Sequence, residues 1–333
     1  MFSVRVSIIF AILVAAVLLP TFAVSGTVVI SPADYQQTAP SQTAEEQVTI
    51  TFTVVDQNKF VTTLKKEDIR LSEDGVPQEI RDFQLQTGRP VSIAIVIDTS
   101  ASQELVLPGA KLAAQEFLNA VVSRKDQVAL VTFTGLPTIE QSLTNDRDRI
   151  RAAIDRVRFV PPPGYAGSGV VLSTKLPSRD QMIPGSTALW DTLWKTCENV
   201  FTPAAKDTRR AIILISDGED TISKLKMKTA VERAIHDDVS IFSIGIGDKK
   251  FGVNKAVLKQ LSERTGGRAF FPKSGNDINS IFVDVNEELR SQYAITYKPN
   301  SKSSHNSFHK VRIELTNPEL RKMNLMLAHR DGY

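Results

Sequence analysis

Asp98-Thr99-Ser100-Ala101-Ser102 places one carboxylate and two alternating serine hydroxyls directly after an apolar run at 91–97. Two further segments carry the same chemistry: Gly185-Ser186-Thr187-Ala188-Leu189, which opens a helical pattern, and Ser216-Asp217-Gly218, which follows an apolar run at 211–215. These groups are hard oxygen donors. A small divalent cation that wants near-octahedral oxygen geometry at about 2.0 to 2.1 Å takes such a set, with water completing it. Serines at alternate positions of a tight loop, Ser100 and Ser102, aim both hydroxyls the same way. The first motif alone also has a bland reading, because Ser102 stands where it would cap a following helix. Three segments in this order, each closing a strand or opening a helix, favour the cation.

The elements that must position these residues follow from hydrophobic periodicity. Apolar strands are expected at 91–97, 127–133, 210–215 and 239–246, with a short one at 268–271. Helices are expected between them, at 103–122, 146–157, 188–200, 226–236, 254–263 and 277–289. The first carries Leu107, Ala110, Ala114, Phe117, Leu118 and Val121 at helical spacing. Near-continuous apolar strands flanked by helices imply a Rossmann-like, doubly wound, mostly parallel sheet covered on both faces. In such a sheet ligands gather outside the carboxyl ends of the strands, where all three segments lie.

On either side of this α/β unit the pattern is strand only. Residues 48–54 alternate apolar with polar, 69–71 and 79–83 flank the turn Glu73-Asp74-Gly75, and further strands are expected at 292–297, 311–315 and 323–328. The simplest architecture is a small β-sandwich, built from N-terminal strands (47–90) and C-terminal strands (291–333), with the α/β domain (91–290) inserted in it. Residues 26–46, rich in Ser, Thr, Gln, Pro and Ala, read as a flexible linker. Arg5, an apolar stretch at 8–19, Pro20 and Ala23-Val24-Ser25 read as a Sec signal peptide over 1–25. The apolar stretch is shorter than the roughly 20 residues of a membrane-spanning helix, although an uncleaved 4–24 would serve as an anchor. The expected location is therefore secreted, periplasmic or cell envelope, with membrane attachment only if the segment stays.

With 333 residues, 42% of them hydrophobic, the chain has material for one large core and a second small one. Its single cysteine, Cys197, rules out an intramolecular disulfide. The net charge of +3 comes with no block of Lys or Arg that would follow a nucleic-acid backbone, so no nucleic-acid partner is expected. Oligomeric state is not readable from these residues.

The three oxygen-bearing segments resemble a von Willebrand factor A (VWA) domain with its metal-ion-dependent adhesion site (MIDAS). That resemblance implies that Ser100, Ser102 and Thr187 bind the ion directly, and that Asp98 and Asp217 bind it directly or through water. It implies Mg²⁺, or Mn²⁺ or Ca²⁺, with one coordination position left for the Asp or Glu carboxylate of a protein partner. Over 45–333 the layout is similar to the bacterial VWFA-related Acidobacterial domain family, through Glu73-Asp74-Gly75-Val76 and Arg330-Asp331-Gly332-Tyr333. The function implied is a non-catalytic, extracytoplasmic binding or adhesion module.

Two other classes stay open. A metal-dependent hydrolase or phosphatase also begins with Asp at a strand end, but it needs a second acid two positions on, where Ser100 stands. An envelope scaffold would use the ion only to tie loops together. Among nearby residues, Asp191 is expected to favour a helix N-terminus, Glu219 and Asp220 to be solvated, and Asp248 to serve a turn. The loop at 161–185 is a wall of the ligand surface or a plain insertion. His305 and His309, four apart in a Ser- and Asn-rich loop, make no helical zinc face. Trp190 and Trp194 read as core.

Overall fold

The computed structural model describes residues 47–333 apart from 57–58, 162–163, 168–169, 173–185, 203, 205–207, 248–251, 274 and 301–307. The expectations for the signal peptide, the linker, Gly185, Asp248, His305 and most of the 161–185 loop lie outside the described residues. Among the described residues, no helix is long and apolar enough to cross a membrane.

Alternation at 48–54 becomes strand β1 (Val48–Asp56), which turns Ile50, Phe52 and Val54 inward. β2 (Lys59–Phe60) folds back on its end. β3 (Ile69–Glu73) and β4 (Val76–Gln78) form a hairpin closed by Asp74-Gly75. Both turn residues are left-handed, at φ 49° and 83°, the conformation that a tight two-residue hairpin loop demands and that Asp-Gly tolerates. β5 (Ile80–Thr87) then leads into the central sheet.

That sheet begins with β6 (Val91–Asp98), buried at every position. The chain continues through α1 (Leu107–Ala120), β7 (Gln127–Phe133), β8 (Pro137–Thr144) and α2 (Arg147–Arg156). A small hairpin, β9 (Tyr165–Gly167) and β10 (Val170–Val171), precedes α3 (Leu189–Thr196) and its π-helical extension Cys197–Phe201. Then come β11 (Arg209–Ser216), α4 (Met227–His236), β12 (Val239–Gly245), α5 (Lys255–Arg264), β13 (Ala269–Phe270) and α6 (Gly275–Arg290). The strand order is β13-β12-β11-β6-β7-β8, parallel throughout except for β8.

Alternate residues of β6 point to opposite faces, as the pleat requires. Ile93, Ile95 and Ile97 pack with α1, α2 and α6, while Ala94 and Val96 pack with α3, α4 and α5. The sheet is thus doubly wound, and the order reverses between β6 and β11, the switch point at which such folds bind ligands.

Three local expectations change. The helix expected from residue 103 starts at Leu107, because Ala101–Gln103 forms a 3₁₀ turn instead and Pro108 sits in the first turn of α1. β8 was not anticipated; its polar, largely exposed sequence suits an edge strand and hides the alternation. The helix ending near Val200 closes in a π turn.

α6 passes directly into β14 (Ser291–Tyr297), followed by β15 (Val311–Leu315), the unanticipated short helix α7 (Pro318–Lys322) and β16 (Leu325–His329). One antiparallel sheet has the order β16-β1-β14-β5 and another the order β15-β3-β4. Ile50, Phe52, Tyr293, Ile295 and Tyr297 of the first meet Ile69, Leu71, Val311 and Ile313 of the second in one core. The sandwich is therefore built from both ends of the described chain.

Charged side chains join it to the α/β unit. On the α/β side of the junction, Arg290 at the end of α6 donates to Asp126 Oδ1 and Oδ2 at 3.0 and 2.5 Å, and Asp126 also accepts from the Val91 and Ser123 N–H groups. Arg209 donates to the carbonyls of Gln86 and Leu289. Arg330 reaches Asp238 Oδ1 at 2.8 Å and the Thr49 carbonyl at 3.0 Å.

Candidate metal centre

The register Ile97↔Ile215 sets Asp98 beside Ser216 at the carboxyl ends of neighbouring strands β6 and β11. From there the site assembles by hydrogen bonds. Ser216 Oγ donates to Asp98 Oδ2 at 2.8 Å, and the Ser100 N–H donates to Asp98 Oδ1 at 2.9 Å. Ser102 Oγ donates to Asp217 Oδ2 at 2.7 Å, and the Ser100 and Ser102 hydroxyls lie 3.2 Å apart. Thr99 pins the loop to the end of β7, giving both its N–H and its hydroxyl to the Phe133 carbonyl. Gly218 has φ 83°, and a Cβ there would lie 2.8 Å from Leu258 Cγ, so the turn after Asp217 requires glycine.

The capping alternative for Ser102 fails. α1 begins at Leu107 with Val106 at its N-cap and no side-chain cap, and the Ser102 hydroxyl is directed at Asp217.

Thr187 stands on a third loop at the same rim. It is buried, and its hydrogen bonds all run through its backbone: its N–H donates to Thr221 Oγ1 at 2.8 Å and its carbonyl accepts from the Thr221 and Ile222 N–H groups. On the other side the Ala188 N–H donates to the Thr134 carbonyl, and the Thr134 hydroxyl to the Ser186 carbonyl. The loop is thus wedged between the segments that follow β7 and β11. Asp98, Ser100, Ser102 and Asp217 share one network; Thr187 is held next to it by backbone contacts, with its hydroxyl outside the network.

Gln103 and Asp220 belong to the site although the sequence did not mark Gln103 and suggested solvation for Asp220. Gln103, itself buried, donates through Nε2 to Asp217 Oδ2 at 2.7 Å. Asp220 Oδ1 accepts from the Leu189 N–H at 2.8 Å and, with Ser223, covers the open N-terminus of α3, whose own N-cap residue is Ala188. Asp191 answers in the other direction, accepting from the Lys224 and Leu225 N–H groups at 3.0 and 2.9 Å. Asp191 thus stands in the first turn of α3, as expected, and in addition clamps the loop after Asp217. Glu219 accepts from Asn254 Nδ2 at 3.0 Å. Such contacts join residues far apart in sequence, so no local pattern signals them.

The electrostatics ask for a cation. Burial, with the nearby Asp217 carboxylate, pushes Asp98 up to about 7 against the pull of its Ser100 and Ser216 hydrogen bonds. Among the described residues, no Lys, Arg or His side chain pairs with Asp98 or Asp217. Two buried carboxylates interleaved with hydroxyls, all hard oxygen donors, fit a small divalent ion.

Two models described as von Willebrand factor type A domain match this chain, one over residues 93–219 and the other over 172–284. The chain is a von Willebrand factor type A domain protein, and both matches fall within its doubly wound unit. Among curated relatives, it is 41% identical over 66 residues to the inter-alpha-trypsin inhibitor heavy chain H2 of Mus musculus, a match covering 19% of this chain and 7% of that one. It is 22% identical over 229 residues to a UPF0353 protein of Mycolicibacterium vanbaalenii, covering 62% of this chain and 63% of that one. A solved von Willebrand factor type A structure from Catenulispora acidiphila is 12% identical, with a TM-score of 0.47, over 83% of this chain and 72% of that one. The chain thus spans less than two thirds of the length of these curated relatives.

Proposed function

We propose that the rim of Asp98, Ser100, Ser102, Thr187 and Asp217 holds a divalent cation, Mg²⁺ foremost, and that the protein uses it to grip an acidic side chain of a protein partner. The observation that carries this reading is the pair of buried carboxylates, tied together by serine hydroxyls, with no side-chain cation among the described residues to balance them. Ser100 and Ser102 present hydroxyls on one side of the loop, and Asp98 and Asp217 supply the negative charge. Gln103 and Ser216 orient the two carboxylates, and the clamp of Asp191 and Asp220 keeps the Thr187 loop against them. When bound, the ion supplies a Lewis-acidic position for an incoming carboxylate.

The reading is non-catalytic. In the position two residues after Asp98, where aspartyl phosphotransferases carry an acid, Ser100 donates its N–H back to Asp98 and shares a hydroxyl contact with Ser102. Asp98 is moreover occupied on both oxygens, which suits a positioned anion better than an attacking nucleophile. The N-terminal sequence supports an extracytoplasmic site of action.

The test is partner capture from envelope extracts in Mg²⁺, eluted with chelator, followed by binding measurements with Asp98→Ala and Thr187→Ala. Binding is expected to disappear with EDTA and to fall at least about tenfold in both variants, with circular dichroism unchanged. Unaltered binding by folded Ala variants would remove the rim from the recognition surface.

A further inference from the structure

At one end of the sandwich, the β3–β4 turn meets His309, two residues before β15. We propose that Glu73, Asp74 and His309 form a second metal site, selective for a zinc-class ion over magnesium.

The three side chains each offer one ligand atom, and these atoms lie within 4.8 Å of one another. His309 Nδ1 is 2.8 Å from Asp74 Oδ2 and 3.7 Å from Glu73 Oε1. The other oxygen of each carboxylate is held elsewhere. Glu73 Oε2 accepts from the Tyr297 hydroxyl at 2.6 Å and the Tyr333 hydroxyl at 3.1 Å, and Asp74 Oδ1 accepts from the Lys310 N–H at 2.9 Å. Oε1 and Oδ2 are thereby turned toward the imidazole. This is the arrangement by which outer hydrogen bonds orient metal-binding carboxylates.

The main chain that carries the imidazole is held just as firmly. The His309 N–H donates to the Tyr333 carbonyl at 3.0 Å, the Tyr333 N–H returns the bond at 3.1 Å, and the two rings lie 5.5 Å apart. A Cβ on Gly332 would fall 2.0 Å from the His309 carbonyl oxygen, so glycine is needed for this approach. Glu73 is buried while the Asp74 side chain is 48% exposed, which leaves the trio reachable from solvent through the hairpin turn.

One imidazole nitrogen and two carboxylates suit Zn²⁺ and its neighbours in the first transition row, whereas Mg²⁺ prefers oxygen alone. Paired with His305 on a helix, His309 had no zinc chemistry. The fold gives it different partners.

The probe is Zn²⁺, titrated calorimetrically into the full chain carrying Asp98→Ala, with excess Mg²⁺ present. One Zn²⁺ per chain is expected, and none after the further change His309→Gln. Tyr333→Phe, which leaves Tyr297 on Glu73, is expected to keep the stoichiometry and weaken binding about tenfold. X-ray absorption of the Zn²⁺-loaded Asp98→Ala chain should show imidazole in the ligand shell. No uptake by that chain, unchanged uptake after His309→Gln, or a shell without imidazole overturns the proposal, and none of these outcomes bears on the strand-end rim.

Discussion

Asp98 and Asp217 were legible as a pair because one follows an apolar run directly and the other follows one after a single serine, and each run could only be a buried strand. Ser102 was ambiguous, and only the late start of α1 removes its capping role. Gln103 was invisible, since glutamine in a helical pattern reads as surface until it is found buried on Asp217. Cys197 is informative at the same scale. It is fully buried, and that burial, helped by Asp237, pushes its thiol up to about 12. Because the thiolate is the reactive species, the native chain at pH 8 should react with Ellman's reagent only as fast as it unfolds. Prompt stoichiometric labelling without denaturant would contradict this packing.

Among the elements, the strands of the central sheet and most helices were readable from period, within a residue or two at their ends. β8 was not, because an exposed edge strand needs no apolar face. Nor was α7, whose five residues rest on an Asn317 cap and Pro318. α3 shows how an element can be stabilised by another part of the chain. Its N-terminus is covered by Asp220 and Ser223 from the loop after β11, a contact that also fixes Thr187 beside Asp217. Asp220→Ala should therefore cost about 1 kcal/mol in chemical denaturation, and it should also weaken Mg²⁺ binding. A loss of stability with Mg²⁺ affinity intact would separate the cap from the site.

For the molecule as a whole, the inserted arrangement was anticipated from strand patterns at both ends, but the fastenings between sandwich and α/β unit were not. Arg209 and Arg330 each serve backbone or carboxylate partners from distant segments, and sequence alone leaves arginines of this kind on the surface. Asp126, buried within the α/β unit, holds Arg290 where α6 passes into β14. Burial alone would raise it, but Arg290 and the Ser123 and Val91 N–H groups together hold it below the ordinary 3.8. The unfolded chain then takes up the proton first, so this contribution is present above that value and is lost as pH falls through the lower folded one. Asp126→Ala, which strands Arg290 and two N–H groups, should cost about 3 to 5 kcal/mol at pH 7 and flatten the acid limb of the stability profile below about 4. An unchanged acid limb would mean that another carboxylate sets it.

β1 lies between β14 and β16, pairing Val48 with Tyr297 and Phe52 with both Tyr293 and His329. During synthesis β1 therefore waits, most of both its edges unpaired, until β14 and β16 have been made. The doubly wound middle can condense on its own meanwhile, since β6 and β7 are joined by a single helix. Refolding should accordingly proceed in two stages, a prompt one for the middle and a delayed one for the shell that unites beginning and end.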